Sequence, residues 1–178
     1  MSGPDAKPRI VVAADDVRRR IGEIAAAIAA GGARELTVVP ILLGAMFFGA
    51  DLARALGQRG IGVTVDYLQL KSYGAGTRSS GTVKLLRDLS GEVRDRDVLL
   101  VDGVADTGRT LAFARDLVAR KGAASVATAV LVDKPAHREV AVAVDHAGFR
   151  LDGVFVVGMG MDHAGNWREL PYLGAVDV

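Results

Sequence analysis

The sequence predicts an α/β fold with a mostly parallel central sheet flanked by helices. The first observation is an alternation along the chain, in which short apolar segments that suit buried strands are followed by longer segments with apolar residues at helical spacing. The second is the segment 98–111, where an apolar run ends in acidic residues and then turns through Thr107 and Gly108 into a helix. Ligands of parallel sheets bind at such carboxyl ends of strands, so this segment also marks a candidate site.

The first part of the chain is predicted to open with a loose tail and then to alternate between helix and strand. Residues 1–9 contain two prolines and little apolar content, which is typical of a tail. Asp15 and Asp16 then look like caps of a helix whose apolar residues recur at helical spacing until Gly31. Three elements follow: a buried strand over 36–42, a helix over 46–56 stopped by Gly57, and a strand over 63–70.

The middle of the chain contains a segment with almost no apolar anchor. Residues 72–82 are rich in Gly, Ser and Thr and are predicted to form a mobile loop that is long enough to suggest a function. The next elements are the central strand over 98–101, a helix that ends at Gly122 and a buried strand over 127–132. We find no internal repeat or linker, so residues 1–178 are predicted to form a single domain.

Composition and charge argue against several classes of protein. Half of the residues are hydrophobic, but no apolar run reaches the ~18 residues of a membrane span, and the start of the chain lacks the pattern of a signal peptide. There is no cysteine, which together with these points favours a cytoplasmic protein that does not contact a membrane. The net charge of +1 gives no electrostatic case for nucleic acid, and the three histidines lack zinc-ligand spacing.

The chemistry of the segment 98–111 suits a phosphorylated sugar. The start of a helix offers unsatisfied backbone N–H groups and the positive end of a dipole, both of which favour a phosphate. Asp102 and Asp106 could hold sugar hydroxyls or Mg²⁺, which prefers oxygen ligands. The chain lacks a P-loop motif, and the dinucleotide-like start at Gly158 and Gly160 is broken by His163. The alternative is a buried strand followed by a plain turn.

This segment resembles the phosphoribosyl-pyrophosphate (PRPP) signature of type I phosphoribosyltransferases. Other segments narrow the resemblance to the hypoxanthine-guanine branch and match it in order over nearly the whole chain: 42–44 (pyrophosphate loop), 71–81 (catalytic loop), 131–135 and 154–162 (base-binding segments) and 167–172 (closing segment). The resemblance implies the type I fold with a small C-terminal hood over about 146–178. It implies transfer of the 5-phosphoribosyl group from PRPP to N9 of hypoxanthine, guanine or a related modified purine, with release of pyrophosphate and with Mg²⁺ as cofactor.

The resemblance also implies the role of each site residue. Asp106 would lie near the purine N7, as a base or as a stabiliser of the sugar cation, although a helix cap is its alternative role. Ser72 and Tyr73 would close over the site and exclude water. The substrate-binding and metal-binding roles fall to Leu43 and Gly44 (pyrophosphate), Asp102 (ribose hydroxyls, directly or through Mg²⁺), Thr107, Gly108, Arg109 and Thr110 (5′-phosphate), Lys134 (exocyclic oxygen of the base), Phe155 (stacking on the base), Val156 (edge of the base), Asp162 (a second Mg²⁺) and Arg168 (pyrophosphate).

Several of these residues have simpler alternative roles. Lys134 could be a solvated loop residue, Phe155 could belong to the core, and Arg168 could form a surface ion pair. Family members are usually dimers or tetramers. The apolar residues at Leu43 and 46–48 could supply such an interface, or they could be a buried helix face.

The sequence departs from the family pattern at three places. Gly103 stands where the family usually has a second acidic residue, and Leu43 stands where it usually has lysine. The base-binding wall carries Met159, Met161 and His163 in place of residues that are commonly Tyr or Leu. These departures leave open a changed substrate, a weakened enzyme, or a regulator that senses PRPP or a nucleotide without catalysis. The missing carboxylate at Gly103 predicts weak binding of the PRPP ribose, which Gly103→Asp would improve.

Overall fold

The computed structural model describes residues 7–72 and 82–176, and their order of elements is an alternation of strands and helices. In chain order the elements are β1 (Arg9–Val12), α1 (Ala14–Ala30), β2 (Glu35–Leu42), α2 (Met46–Gly57), β3 (Gly62–Val65), β4 (Leu68–Ser72), β5 (Val83–Arg87), β6 (Asp97–Ala105), α3 (Arg109–Arg120), β7 (Ser125–Asp133), a 3₁₀ turn (Pro135–His137), β8 (His146–Arg150), β9 (Phe155–Val157) and β10 (Leu173–Val176).

The larger sheet has the strand order β5-β4-β2-β6-β7-β8, with β3 also paired to β2. The pairs of β2 with β3, β4 and β6 are parallel, as are β6 with β7 and β7 with β8. Strand β5 runs antiparallel to β4 at one edge. This arrangement confirms the predicted α/β fold with a mostly parallel sheet.

Side chains of the central strands alternate between two apolar clusters on opposite faces of this sheet. Val38, Leu99 and Leu131 belong to the cluster that contains α1 and α2. Val39 and Leu100 belong to the other cluster, which contains the buried face of α3. This alternation follows from the two-residue period of a strand. Burial of each Leu or Val side chain contributes about 1.5–3 kcal/mol to the free energy of unfolding. The two clusters therefore stabilise the central strands, whose ends carry the candidate site.

Helix α1 forms where the sequence predicts it, but its acidic residues have a different place. Val17, Ile21, Ile24 and Ile28 are buried on one face, and Gly31 follows the last turn. Asp15 and Asp16 lie inside the first turn, whereas Ala13 is the N-cap and makes no side-chain cap bond. The prediction that they are caps is therefore wrong. Both carboxylates still favour the helix because they lie near the positive end of its dipole.

Two strand boundaries differ from the sequence prediction. The segment 63–70 is split into β3 and β4 because the Asp66 side chain accepts hydrogen bonds from three backbone N–H groups, those of Tyr67, Ser90 and Gly91. Such side-chain bonds compete with strand pairing. The central strand is longer than predicted and continues to Ala105, because residues 102–105 still pair with β7. Asp102 and Gly103 therefore lie within the strand.

A smaller sheet forms the hood, and in it the first described strand pairs with the last. Its order is β1-β10-β9, with both pairs antiparallel. The prediction of a loose tail over 1–9 is wrong at its end, because Arg9 begins β1 and Pro8 is buried. The predicted start of the hood at about 146 is also wrong, because His146–Arg150 pairs with β7 in the larger sheet. Both errors concern the pairing of strands, which local patterns do not reveal.

Residues 73–81 of the predicted mobile loop lie outside the described part of the chain. None of the helices that the structure describes has both the length and the apolar character of a membrane span.

Candidate active site

A cavity of about 380 Å³ lies at the carboxyl ends of β2, β6 and β7, beneath the hood. It brings together ten of the residues that the sequence predicts for the site: Leu43, Gly44, Asp102, Asp106, Thr110, Lys134, Phe155, Val156, Asp162 and Arg168. A larger cavity of about 620 Å³ lies at the amino ends of the strands, between Glu35 and Asp97. We place the site at the smaller cavity because parallel sheets bind ligands at the carboxyl ends of strands.

The turn between β6 and α3 places Asp106 and Thr110 on the wall of this cavity. Gly108, with a φ of 84°, is the N-cap of α3 and makes no side-chain cap bond. A Cβ atom at this position would lie 2.6 Å from the carbonyl oxygen of Val140, so the turn requires glycine. The carbonyl oxygen of Thr107 accepts hydrogen bonds from the N–H groups of Glu139 and Val140, both at 3.0 Å. The turn is thus held by the segment after β7.

The Arg109 side chain is paired with a carboxylate from the segment after β7. Its Nε and Nη2 atoms donate to Oε2 of Glu139 at 2.9 and 2.6 Å. Thr107, Gly108 and Arg109 are also absent from the cavity lining, whereas Thr110 is part of it. The contact of Arg109 with the 5′-phosphate stays a prediction, and its backbone N–H at the helix start is one donor for it.

Asp106 is paired with a histidine that the sequence patterns did not indicate. Its Oδ1 atom lies 3.0 Å from Nδ1 of His137, and both side chains are 47% exposed. Asp106 lines the cavity and does not cap α3, so its alternative role as a helix cap is wrong. No spacing rule links the two residues, because the contact depends on how the 3₁₀ turn after β7 folds back towards the end of β6.

Asp102 is a carboxylate buried inside the central strand. Its Oδ1 atom accepts a hydrogen bond from the N–H of Gly103 at 2.7 Å. Burial raises the pKa of the Asp102 carboxyl to about 7, although the backbone N–H groups of Gly103 and Val104 act in the opposite direction. A cation bound at the cavity would favour its ionised form.

Asp162 and Arg168 form an ion pair on the cavity wall. Nη2 of Arg168 lies 2.6 Å from Oδ1 of Asp162, and Nη1 donates to the carbonyl oxygen of Gly160 at 2.6 Å. Arg168 thus forms an ion pair, as its alternative role predicts, but the pair lies on the cavity wall. Within residues 7–72 and 82–176, no group of three or more His, Cys, Asp or Glu side chains could hold a metal by itself.

The wall formed by the hood and the end of β7 suits a flat, polar-edged ligand. Lys134 is buried, and its Nζ donates to the carbonyl oxygen of Val154 at 2.8 Å, so it is not a solvated loop residue. Phe155 is 38% exposed and is not a core residue. The edge of its ring contacts His163 at 5.2 Å between centroids, and His163 stacks on Trp167 at 6.3 Å.

The backbone of Gly44 fills the space beside Gly103. A Cβ atom at Gly103 or at Gly160 would lie 2.5 Å from the carbonyl oxygen of Gly44. The two glycines therefore allow the Leu43–Gly44 turn to approach the end of β6 closely. The departure at Gly103 is a packing feature as well as the loss of a carboxylate.

The remaining predictions concern the closing loop and the apolar residues near Leu43. Tyr73 and the Ser72 side chain lie outside the described residues, so the predicted closing loop stays a prediction. Of the apolar residues considered for an interface, Phe48 is fully buried, whereas Leu43, Met46 and Phe47 are exposed.

Residues 11–164 match the phosphoribosyl transferase domain family. The chain belongs to this family. Among similar proteins, hypoxanthine phosphoribosyltransferase from Escherichia coli is 35% identical to this chain over 170 residues. The match covers 94% of each chain. A bifunctional protein named TilS/HprT from Listeria innocua is 38% identical over 167 residues. That match covers 93% of this chain, which spans only 25% of the length of the bifunctional relative.

Solved structures of the family support the same assignment. A hypoxanthine phosphoribosyltransferase from Trypanosoma cruzi superposes with a TM-score of 0.89 at 30% identity, covering 99% of this chain and 95% of that one. The corresponding enzyme from Staphylococcus aureus gives a TM-score of 0.87 at 28% identity, covering 95% and 91%. The predicted membership of the hypoxanthine-guanine branch and the predicted type I fold are confirmed.

Proposed function

We propose that this protein transfers the 5-phosphoribosyl group from PRPP to N9 of hypoxanthine or guanine and releases pyrophosphate. The observation that carries the proposal is the composition of one cavity. It combines the Asp106 carboxylate and the start of α3 with a wall that contains the buried Lys134 amine and the exposed face of Phe155. The identity to proteins named hypoxanthine phosphoribosyltransferase supports the same substrates.

The sugar and phosphate contacts follow from the end of β6. The N–H groups at the start of α3 would bind the 5′-phosphate, together with the hydroxyl of Thr110. As N9 bonds to the anomeric carbon, the bond from that carbon to pyrophosphate breaks and pyrophosphate leaves with the electron pair. The purine must then lose its N7 proton, and Asp106 is the carboxylate on the cavity wall that would accept it. The same negative charge would stabilise the cation-like sugar.

The carboxylates of the cavity fit the proposal of Mg²⁺ as cofactor. Mg²⁺ usually binds one or two carboxylates and completes its coordination with water and substrate oxygens. Asp102 and Asp162 supply carboxylates, and PRPP would supply the remaining oxygens. When bound, Mg²⁺ would neutralise charge on the leaving pyrophosphate. Arg168 would contribute in the same way from the cavity wall, and the backbone of Gly44 would donate to pyrophosphate.

The base wall favours a 6-oxopurine. Lys134 can only donate hydrogen bonds, so it suits the exocyclic oxygen of hypoxanthine or guanine and not the amino group of adenine. Phe155 would stack on the base, and the backbone of Val156 would contact its edge. The buried Met159 and Met161 could adapt to a modified purine.

We further propose that the enzyme is a cytoplasmic homodimer or homotetramer, with the exposed Leu43, Met46 and Phe47 in an interface. Ser72 and Tyr73 would close over bound PRPP. The second candidate function is a PRPP or nucleotide sensor, which the departures at Gly103 and Leu43 favour.

A panel of purines tests the proposal. Purified protein with PRPP and Mg²⁺ should convert hypoxanthine and guanine to their nucleotides, with stoichiometric pyrophosphate. Adenine should react roughly five- to 150-fold more slowly in kcat/KM, because an unpaired polar group at Lys134 costs ~1–3 kcal/mol. Binding of PRPP by calorimetry without turnover of any purine would favour the sensor. Equal kcat/KM for adenine would contradict the role of Lys134.

A further inference from the structure

We propose that His137 is a positioning residue for the Asp106 carboxylate during phosphoribosyl transfer. The inference rests on the proposed function and deepens it. Its basis is the 3.0 Å contact between Nδ1 of His137 and Oδ1 of Asp106 at the edge of the cavity. An ionised carboxylate only accepts hydrogen bonds, so with Asp106 ionised the Nδ1 atom is the donor.

The backbone around His137 is held from several sides, which fixes the position from which the imidazole reaches Asp106. His137 ends the 3₁₀ turn that begins at Pro135, and its N–H donates to the carbonyl oxygen of Lys134 at 3.1 Å. The next residue, Arg138, forms a largely buried ion pair with Asp133 at the end of β7. A histidine on such a support can direct a carboxylate rather than follow it.

The segment 137–140 also holds the rest of the turn that carries Asp106. Glu139 and Val140 donate backbone hydrogen bonds to Thr107, and the Glu139 side chain pairs with Arg109. The segment 137–140 therefore contacts three successive parts of the turn: the catalytic carboxylate, the backbone of Thr107 and the first residue of α3. His137 is the contact that acts on the carboxylate itself.

The contact with His137 gives the two carboxylate oxygens of Asp106 different roles in the reaction. His137 occupies Oδ1, which leaves Oδ2 available for the N7 proton. Without this bond the half-exposed Asp106 side chain could adopt other rotamers, and fewer of them would suit proton transfer. Loss of orientation of a catalytic group lowers kcat more than KM, because the substrate contacts remain.

Steady-state kinetics of the full chain with PRPP, Mg²⁺ and hypoxanthine test the inference. His137→Ala should lower kcat roughly tenfold with the KM for PRPP nearly unchanged. His137→Asn should recover most of the rate, because the Asn amide nitrogen lies close to the place of Nδ1. His146→Asn is the matched control: His146 lies on β8, away from this cavity, and its variant should keep the wild-type rate. Thermal melting identifies any variant that has lost its fold.

A double-mutant cycle distinguishes positioning from an independent role. If His137 acts through Asp106, adding His137→Ala to Asp106→Ala should cost little further activity. Three results would each overturn the inference while the proposed function stands. They are a double variant whose loss in kcat is the product of the two single losses, a wild-type rate in His137→Ala, and no recovery of the rate in His137→Asn. A wild-type protein without turnover on any purine would overturn both.

Discussion

At the scale of single residues, the buried Asp102 couples the stability of the metal-free protein to pH. Its pKa in the folded protein is about 7, above the ordinary value of 3.8, so the folded state binds more protons than the unfolded state between these values. The contribution of Asp102 is therefore fully present below pH 3.8, decreases above that value and is lost as pH rises through about 7. In wild type the free energy of unfolding should fall by on the order of a few kcal/mol as the buried carboxyl ionises. We expect Asp102→Asn to remove this pH-dependent fall.

Denaturant unfolding at pH 5 and pH 8, with a chelator present, measures this effect. The difference in free energy of unfolding between Asp102→Asn and wild type should be larger at pH 8, in favour of the variant. Asp15→Asn, at the exposed start of α1, is the control: it removes a charge that favours the helix, so its effect on the free energy of unfolding should be similar at both pH values. The same difference at both pH values would contradict the role of burial at Asp102.

At Gly103, close packing opposes the substitution that the family pattern favours. The sequence alone predicts that Gly103→Asp restores a ligand and improves PRPP binding. In the structure the new Cβ atom would lie 2.5 Å from the Gly44 carbonyl oxygen and 2.9 Å from Cγ of Met161. We now expect Gly103→Asp and Gly103→Ala to lower the melting temperature and to raise the KM for PRPP, because overpacking costs ~1–3 kcal/mol.

The control is Gly57→Ala, because a Cβ atom there would meet nothing within 4 Å. If Gly103→Asp instead binds PRPP more tightly at unchanged stability, the Gly44 turn moves without cost and the packing account is wrong.

At the scale of elements, the hood supports the base wall through a series of three rings. Phe155 on β9 contacts His163, which in turn stacks on Trp167. Since an aromatic pair contributes about 0.5–1.5 kcal/mol, His163→Ala should raise the KM for hypoxanthine roughly two- to tenfold, whereas His163→Phe should keep it near wild type.

Trp167 is the single tryptophan of the chain, so its fluorescence reports on this wall. Hypoxanthine or its nucleotide should change the emission in wild type and much less in His163→Ala. An unchanged KM and an unchanged fluorescence response in His163→Ala would show that Phe155 does not depend on this support.

The elements that the sequence predicts well are those that local periodicity defines. Helix α1, β2 and α2 lie close to their predicted bounds because their apolar residues recur at the period of each structure. Strand β1 and the place of β8 were not predicted, because they depend on pairing with β10 and β7, which the local pattern of each segment does not specify. At the site, the motif around Asp106 revealed the carboxylate, but its contact with His137 depends on tertiary structure.

At the scale of the whole molecule, the direction of the parallel strands places the chemistry at one edge. The ends of β2, β6 and β7 supply the Gly44 turn, the Asp102–Asp106 region and Lys134, and the hood supplies the opposite wall. In the hood, β10 pairs with both β1 and β9. These strands therefore support β9, whose Phe155 and Val156 line the cavity.

We propose that this cavity is catalytic and that Asp106 acts on the transferred group. Replacing Asp106 with Asn keeps the shape of the side chain and removes its charge. We expect kcat for nucleotide formation from PRPP and hypoxanthine to fall on the order of 10²-fold or more. The melting temperature and the calorimetric affinity for PRPP should change little, because the side chain is half-exposed. Turnover of Asp106→Asn close to the wild-type rate would contradict the account.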